Sequence, residues 1–288
     1  MGTMTHRFLA PSLLLTAVFL LPGLAACDQG SSGSASATTQ ASERTPAKSK
    51  TESGQAGKTA DGRHGTASAS DPGEFDLEGK TIAIDPGHNG GNASHPSEIT
   101  RQVPDGRGGT KDCNTTGTST DSDYSEADFT WDVGSRLRES LEAAGAKVVL
   151  SRKDNTSVGP CVDERGTFAD GADMLVSIHA NGSESSSPKG FHLIVADPGT
   201  DEKTERASTT LAKSLGHSMG ESFSPNSAYG KDAISRRPDL AGLNNASVPS
   251  VIVECGEMRN PTEAKLMESK TGRAKYADAL FRGIVDWY

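Results

Sequence analysis

The segment TIAIDPGHNG at residues 81–90 joins a short apolar run to a Pro-Gly turn and a histidine. Its first five residues have the length and composition of a buried β-strand, and the Pro-Gly pair ends that strand. Two later segments have the same form, MLVSIHAN at 174–181 and VPSVIVE at 248–254. Each apolar run therefore leads into a residue type that binds metals or transfers protons: His88, His179 and Glu254.

Segments with helical spacing separate these runs. Apolar residues recur every three or four positions from Phe129 to Ala144, and Gly145 follows. Further helices are predicted at 161–170, 204–223, 261–268 and 271–287, and further strands at 146–150 and 191–196. Short apolar strands that alternate with helices predict an α/β fold, a single domain whose mostly parallel twisted sheet is covered by helices on both faces. Residues 86–124, rich in Gly, Asp, Ser and Thr, are predicted as a long functional loop.

The predicted sheet brings the reactive residue types to one edge. In open α/β sheets the ligand binds outside the carboxyl ends of the strands, and Glu126, which begins the helix after the long loop, can join His88, His179 and Glu254 there. Two imidazoles and a carboxylate form a common catalytic zinc site, with one position left for water. The metal lowers the pKa of that water, and a separate carboxylate can accept its proton. The other histidines of the globular part are predicted in a loop, on a strand surface and on a helix surface: His95, His192 and His217.

Charge and composition exclude one class of function and divide the chain. The 288 residues carry a formal net charge of −9, which argues against a nucleic-acid partner because such proteins need a basic face. Residues 28–73 contain no Val, Ile, Leu, Met, Phe, Trp or Tyr, so they cannot bury enough apolar surface to fold. We therefore predict a disordered Ser/Thr/Ala/Gly-rich tether at 27–74 and one catalytic domain at 75–288.

The first residues have the pattern of an export signal. Arg7 precedes an apolar run at 8–21, which is too short to span a bilayer and matches the apolar part of a signal peptide at 1–26. LAAC at 24–27 resembles a bacterial lipobox, in which Cys27 is lipidated and anchors the protein to the outer face of the cell membrane. The alternative is an ordinary cleaved signal and a secreted protein. Both place the domain in an oxidising compartment.

With Cys27 lipidated, three cysteines remain to pair. Cys113 and Cys161 lie in Gly/Asp/Pro-rich loops, the usual place for a disulfide, whereas Cys255 ends an apolar run and is expected to be buried. The loops favour a Cys113–Cys161 disulfide, although three cysteines permit three pairings.

Four motifs, in this order, resemble those of the zinc-dependent N-acetylmuramoyl-L-alanine amidases of the Amidase_3 type: DPGH at 85–88, the glutamate that opens the first long helix, SIHAN at 177–181, and VE at 253–254 followed by Asn260 and Pro261. The resemblance covers roughly residues 80–288. The loops at 101–113 and 159–165 are similar to those of the mycobacterial and actinobacterial branch, whose disulfide supports the Cys113–Cys161 pairing.

The resemblance implies a role for each matching residue. It implies zinc as the cofactor, with His88, Glu126 and His179 as its ligands, and Glu254 as the catalytic glutamate. Asn181 is expected to help orient the site. Asp85 is expected to contact and orient a ligand imidazole. Asn260 is expected to support the site or to contact substrate. The segment CGEMRN at 255–260 departs from the Gly-Phe pattern of the family, so the family's substrate contacts do not carry over to it directly.

The implied reaction is hydrolysis of the amide between the lactyl group of N-acetylmuramic acid and L-alanine, in peptidoglycan or muropeptides. Such a reaction serves wall remodelling, recycling or the separation of daughter cells. The expected protein is a monomer that contacts the membrane through its lipid. Two other hypotheses use the same residues: a zinc peptidase that cuts within the stem peptide, and a tethered lipoprotein that binds wall fragments or zinc without turnover.

Overall fold

The computed structural model describes residues 75–288. The predicted signal peptide at 1–26, the predicted tether at 27–74 and the lipidation site Cys27 lie outside the described residues. Within 75–288, no helix is both long enough and apolar enough to cross a membrane.

A six-stranded sheet forms the centre of the domain. Its strands are β1 Thr81–Pro86, β4 Lys147–Leu150, β5 Met174–Asn181, β6 His192–Ala196, β7 Ile234–Arg237 and β8 Ser250–Glu257, while β2 Gln102–Pro104 and β3 Thr110–Asp112 form a separate antiparallel hairpin. The strand order is β4-β1-β5-β8-β6-β7, and every pairing is parallel except that of β6 with β8. The predicted α/β fold with a mostly parallel sheet is confirmed.

Helices cover the sheet unequally. They are α1 Pro96–Ile99, α2 Glu126–Ala143, α3 Glu164–Thr167, α4 Glu202–Gly220, α5 Ala241–Asn244, α6 Pro261–Glu268 and α7 Lys270–Val285. The long helices α2 and α4 pack on the sheet, and α7 packs against both of them, around a core that includes Ile84, Phe129 and Phe281. Ala83 belongs to a second, smaller core with Leu175. Because neighbouring residues of a strand point to opposite faces, the two cores lie on opposite sides of the sheet.

The structure corrects the predicted elements in three places. β7 escapes prediction because its sequence, ISRR, contains one apolar residue and gives no periodic signal. The segment 86–124 is not a plain loop, since it contains α1 and the β2–β3 hairpin. β5 and β8 extend beyond their predicted ends, so His179 and Glu254 lie within strands rather than after them.

His192 is buried, and the prediction of a surface position is wrong. The residue is 3% exposed, and its ring stacks on that of Tyr229 with the centroids 3.7 Å apart. Every residue of β6 is buried, because both faces of this strand are covered. Burial, together with the positive charge of Arg237, lowers the pKa of His192 to about 4. His217 is exposed on α4, as predicted.

The predicted disulfide joins Cys113 to Cys161, which are 48 residues apart in the sequence. Cys255 is buried and does not take part in it, as predicted. The bridge attaches the end of the β2–β3 hairpin to the loop before α3, where the Val162 N–H also donates to the carbonyl oxygen of Cys113 at 2.7 Å. The hairpin is therefore fixed to the body of the domain beside the carboxyl edge of the sheet.

Candidate metal centre

Three side chains from separate segments meet at the carboxyl edge of the sheet. His88 lies in the turn after β1, Glu126 begins α2, and His179 lies in β5. His88 Nε2 is 3.1 Å from Glu126 Oε2, and His179 Nδ1 is 3.0 Å from Glu126 Oε1. One potential ligand atom from each residue lies within 4.8 Å of the others. The parallel sheet thus assembles a His–Glu–His group from residues that are distant in the sequence.

The chemistry of this group fits zinc. Zinc binds imidazole nitrogen and carboxylate oxygen at about 2.0–2.2 Å, so the ligand atoms of a tetrahedral site lie about 3.3 Å apart. The two nitrogen–oxygen separations are close to that distance. One potential ligand atom from each residue lies within 4.8 Å of the others, which is close enough for the three to share one cation. Two imidazoles and one carboxylate also leave a fourth tetrahedral position for water or substrate.

His88 is held in the orientation that a metal ligand needs. Its backbone is left-handed, with φ 58°, a conformation that is uncommon for residues with a side chain and is concentrated at functional sites. Its Nδ1 lies 3.2 Å from the carbonyl oxygen of Thr115. A proton on Nδ1 donates to that oxygen and leaves the lone pair of Nε2 directed at Glu126. Metal-binding histidines usually use their second ring nitrogen in this way.

Two glycines allow the backbone to come close to the ligand side chains. A Cβ atom on Gly87 would lie 2.3 Å from Cε1 of the His179 ring. Gly117 has φ +77°, a conformation that favours glycine, and a Cβ atom there would lie 2.9 Å from Glu126 Oε2. A larger residue at either position would therefore displace a member of the His–Glu–His group.

The start of α2 positions and stabilises the Glu126 carboxylate. Ser125 caps the helix, since its Oγ accepts a hydrogen bond from the Asp128 N–H at 3.1 Å. Glu126 thus lies in the first turn, where the helix dipole favours a negative charge. Its two oxygens also accept hydrogen bonds from the backbone N–H groups of Thr118 at 3.0 Å and Ala180 at 3.1 Å. The carboxylate is buried, and both of its oxygens accept hydrogen bonds.

The charges of Glu126 and His88 depend on each other. Burial alone would raise the pKa of Glu126, but the positive charge of His88 and hydrogen bonds from both histidines hold that pKa well below its usual range. Burial alone would lower the pKa of His88, but the Glu126 carboxylate raises it. Glu126 is therefore ionised at neutral pH and attracts a positive charge, which a bound cation can supply in place of a proton.

Glu254 lies next to this group. It is paired in register with His179 across β5 and β8 and lines the same cleft, whose volume is about 610 Å³. Its Oε2 is buried and has no hydrogen-bond partner within residues 75–288. Burial raises the pKa of Glu254 well above its ordinary value, and repulsion from Glu126 and Glu257 raises it further. A carboxyl group with a raised pKa can accept and return a proton near neutral pH.

Asp85 supports the turn that carries His88 rather than a ligand ring. It accepts hydrogen bonds from the Ser177 hydroxyl at 2.7 Å and from the Ser151 hydroxyl at 2.5 Å, and it forms a buried ion pair with Arg165 at 2.5 Å. Arg165 in turn donates to the backbone carbonyl oxygen of His88 at 2.7 Å. The expected contact between Asp85 and a ligand imidazole is therefore replaced by an indirect connection through Arg165.

Two buried arginines that hold this region have no clear signal in the sequence. Arg152 donates to the carbonyl oxygens of Pro86 at 2.9 Å and Ala127 at 3.0 Å, and so joins the His88 turn to the start of α2. Arg165 is likewise buried. Arginine is rarely buried unless it is paired, so an arginine in a polar loop, such as Arg152, or in a short helix, such as Arg165, is interpreted as a surface residue until its partners are known.

Two predicted site residues make contacts outside the His–Glu–His group. Asn181 lines the cleft and donates through Nδ2 to Glu257 Oε1 at 2.8 Å. Asn260 caps α6, because its Oδ1 accepts from the Thr262 N–H at 3.0 Å, while its Nδ2 donates to the carbonyl oxygen of Pro188 at 3.1 Å. Asn181 therefore orients an acidic side chain, and Asn260 attaches a loop to the start of a helix.

The fold and the sequence of this domain are those of an amidase family. The Amidase_3 family, described as N-acetylmuramoyl-L-alanine amidase, matches residues 82–286, and the chain belongs to this family. The family predicted from the four motifs is thereby confirmed. The N-acetylmuramoyl-L-alanine amidase Rv3717 of Mycobacterium tuberculosis is 45% identical over 211 residues, which are 72% of this chain and 86% of that protein.

Two crystal structures of mycobacterial enzymes are similar to the domain. The N-acetylmuramyl-L-alanine amidase Ami1 of Mycobacterium smegmatis has 42% sequence identity and a TM-score of 0.70, with 74% of this chain and 98% of that chain covered. The apo form of Ami1 from Mycobacterium abscessus has 40% identity and a TM-score of 0.67, with 73% and 99% covered. These similarities agree with the mycobacterial branch that the loops predict.

Proposed function

We propose that the protein is a zinc-dependent amidase that hydrolyses the bond between the lactyl group of N-acetylmuramic acid and the L-alanine of the stem peptide, in peptidoglycan or its fragments. The observation that carries this proposal is the meeting of His88, Glu126 and His179 next to Glu254 in one cleft. Membership of the Amidase_3 family supports the same reaction.

In this proposal the side chains of His88, Glu126 and His179 would hold the zinc ion. Zinc supplies Lewis acidity, which polarises a carbonyl group and lowers the pKa of water. The chain orients two of these ligands itself, through the Thr115 carbonyl on His88 and the backbone N–H groups on Glu126. Such contacts keep the ligands oriented and strengthen metal binding.

Glu254 moves the proton in this mechanism. Its Oε2, buried without a partner in the described part of the chain, accepts a proton from the water that attacks the lactyl carbonyl carbon. As the carbon–nitrogen bond breaks, the same oxygen delivers that proton to the nitrogen of L-alanine, so that an amine leaves rather than an amide anion. The raised pKa of Glu254 makes the protonated form accessible during the reaction.

We also propose that the signal at 1–26 exports the protein and that a lipid on Cys27 retains it outside the cytoplasmic membrane. The support is the lipobox pattern at 24–27 and the location of peptidoglycan, which lies outside that membrane. The mass of the mature N-terminus tests this proposal, since an unmodified N-terminus on secreted protein would support the cleaved alternative.

Product analysis on a purified muropeptide tests the reaction. The proposed amidase releases N-acetylmuramic acid with a free lactyl carboxylate and a peptide with a free L-alanine amine. New termini inside the stem peptide would instead identify a peptidase. Binding of the muropeptide without any product, in protein that contains zinc, would identify a wall-binding protein without turnover.

A further inference from the structure

Glu257 is a buried acid that the proposed mechanism does not use. It lies at the end of β8, in the segment that departs from the Gly-Phe pattern of the family, and it is 2% exposed. The pairing of β5 with β8 is irregular here, because His179 is opposite Glu254 whereas Asn181 is opposite Glu257. The extra residue on β8 is a bulge, a feature that redirects side chains beside functional sites.

One oxygen of Glu257 is held firmly and the other has no partner. Oε1 accepts hydrogen bonds from Asn181 Nδ2 at 2.8 Å and from the buried Asn226 Nδ2 at 3.1 Å. Oε2 is buried and lacks a hydrogen-bond partner among residues 75–288. A buried carboxylate oxygen without a donor costs free energy comparable to a lost hydrogen bond to a charged group. The two amides prevent the side chain from turning to relieve this cost.

A cavity of about 650 Å³ lies against Glu257. Its wall includes Asn181, Asn226 and Tyr229, and Lys189 lies at its exposed rim. Asn181 also lines the cleft that contains the His–Glu–His group. The cavity, which we call the Glu257 pocket, is therefore next to the proposed reaction centre, and a substrate bound in the cleft can extend into it.

The charges around the Glu257 pocket favour a cation over a neutral donor. Glu257 lies close enough to Glu254 for the two acids to repel each other, and a cation beside Glu257 relieves that repulsion. The ring of Tyr229, held by its stack on His192, forms part of the wall, and aromatic rings attract cations through their faces. Lys189 is the basic residue of the rim, but it does not donate to Glu257 Oε2.

We propose that the Glu257 pocket binds an ammonium group of the substrate, the free side-chain amine of the diamino acid in the stem peptide. Oε2 of Glu257 accepts a hydrogen bond from this ammonium group, while Asn181 and Asn226 hold the carboxylate in place. Glu257 thereby selects among stem peptides without touching the reacting bond. This inference rests on the proposed amidase function, since it assigns the stem peptide to one side of the cleft.

A pair of substrates tests the inference: N-acetylmuramyl-L-alanyl-γ-D-glutamyl-L-lysine and the same compound with its ε-amine acetylated. We expect the wild-type enzyme with zinc to prefer the free amine by roughly ten- to a hundredfold in kcat/KM, the range for a hydrogen bond to a charged group. Glu257→Gln keeps the shape and the acceptor for both asparagines but removes the negative charge, so it should bring the ratio close to one. The ratio cancels any effect of the variant on the chemistry that both substrates share.

Glu139→Gln is the matched control, because Glu139 is an exposed acid on α2, outside both the cleft and the Glu257 pocket, and its variant should keep the wild-type ratio. A wild-type ratio near one overturns the inference without any variant, and so does a Glu257→Gln enzyme that retains the preference. Cleavage of neither substrate would overturn the proposed function and this inference with it. Equal cleavage of both would overturn this inference alone.

Discussion

Replacement of Glu254 by glutamine should remove most of the activity and at the same time stabilise the metal-free protein. Burial and repulsion from Glu126 and Glu257 raise the pKa of the Glu254 carboxyl group well above its ordinary value. Glutamine has the same shape but carries no charge and transfers no proton. Loss of the proton transfer should lower kcat by about 10²- to 10⁴-fold.

The gain in stability depends on pH. Because the pKa of Glu254 is higher in the folded protein than the ordinary value of 4.5, the folded state binds this proton more tightly than the unfolded state. The free energy of unfolding of the wild-type protein therefore falls as the pH rises from about 4.5 to the folded-state pKa of Glu254. The variant lacks this dependence at position 254 because glutamine does not titrate. Removal of the unpaired buried charge should stabilise the variant by about 1–3 kcal/mol above this window. In a domain of this size that is roughly 2–12 °C in melting temperature.

Thermal unfolding of protein treated with a chelator, at pH 5 and at pH 8, measures this difference, and muropeptide turnover with zinc measures the activity. The gap between Glu254→Gln and wild type should be small at pH 5 and should widen at pH 8. Glu184→Gln removes an exposed carboxylate and should change the melting temperature very little at either pH. The reasoning is refuted if Glu254→Gln melts below wild type at pH 8, or if it turns over as fast as wild type with zinc bound.

Three further outcomes follow from the geometry. Gly87→Ala should lose zinc and activity while remaining folded, because its Cβ would meet the His179 ring at 2.3 Å; metal analysis and circular dichroism check this. In the folded protein the pKa of His192 is lowered from 6.5 to about 4. Between these two pH values the unfolded state binds this proton and the folded state does not, so the free energy of unfolding should fall by up to about 3 kcal/mol as the pH drops from 6.5 to 4. Urea titrations at both pH values measure the loss. Removal of the Cys113–Cys161 disulfide, which closes a 48-residue separation, should lower the free energy of unfolding by up to about 4 kcal/mol, as measured by urea unfolding with and without a reductant.

Each of these variants has a control. Gly220→Ala adds a Cβ that meets nothing within 4 Å, so it should keep zinc and activity. His192→Gln should flatten the fall in stability between pH 6.5 and pH 4, and an unchanged slope would contradict the assignment to His192. Cys255→Ser leaves the disulfide intact, so a reductant should still destabilise that variant, and equal stability in both conditions would contradict the role of the bridge.

The sequence predicts those parts of the domain in which one residue pattern has one structural meaning. Apolar runs at 81–85, 174–178 and 248–253 predict central strands, because a sheet covered on both faces buries such runs and they are too short for helices. The polar residues after these runs predict where a site lies, since the carboxyl ends of parallel strands share one edge. The structure places His88 and His179 at that edge together with Glu126.

Other parts depend on contacts that have no local pattern. β7 is recognised through its pairing with β6, and not from its own sequence. The burial of His192 depends on Tyr229, which is distant in the sequence. Arg165 cannot be told from a surface arginine until Asp85 is placed beside it. The environment of Glu257 arises from a bulge in the pairing of β5 with β8, which a single sequence does not indicate.

Metal analysis combined with turnover tests the central claim most directly. Purified wild-type protein should contain one zinc ion per chain, lose muropeptide cleavage when the ion is chelated, and regain it when zinc is restored. His88→Ala should contain no zinc and have no activity, whereas His217→Ala, a change at an exposed position on α4, should match wild type in both measurements. Undiminished cleavage of the lactyl–alanine amide by protein shown to be free of metal would contradict the account.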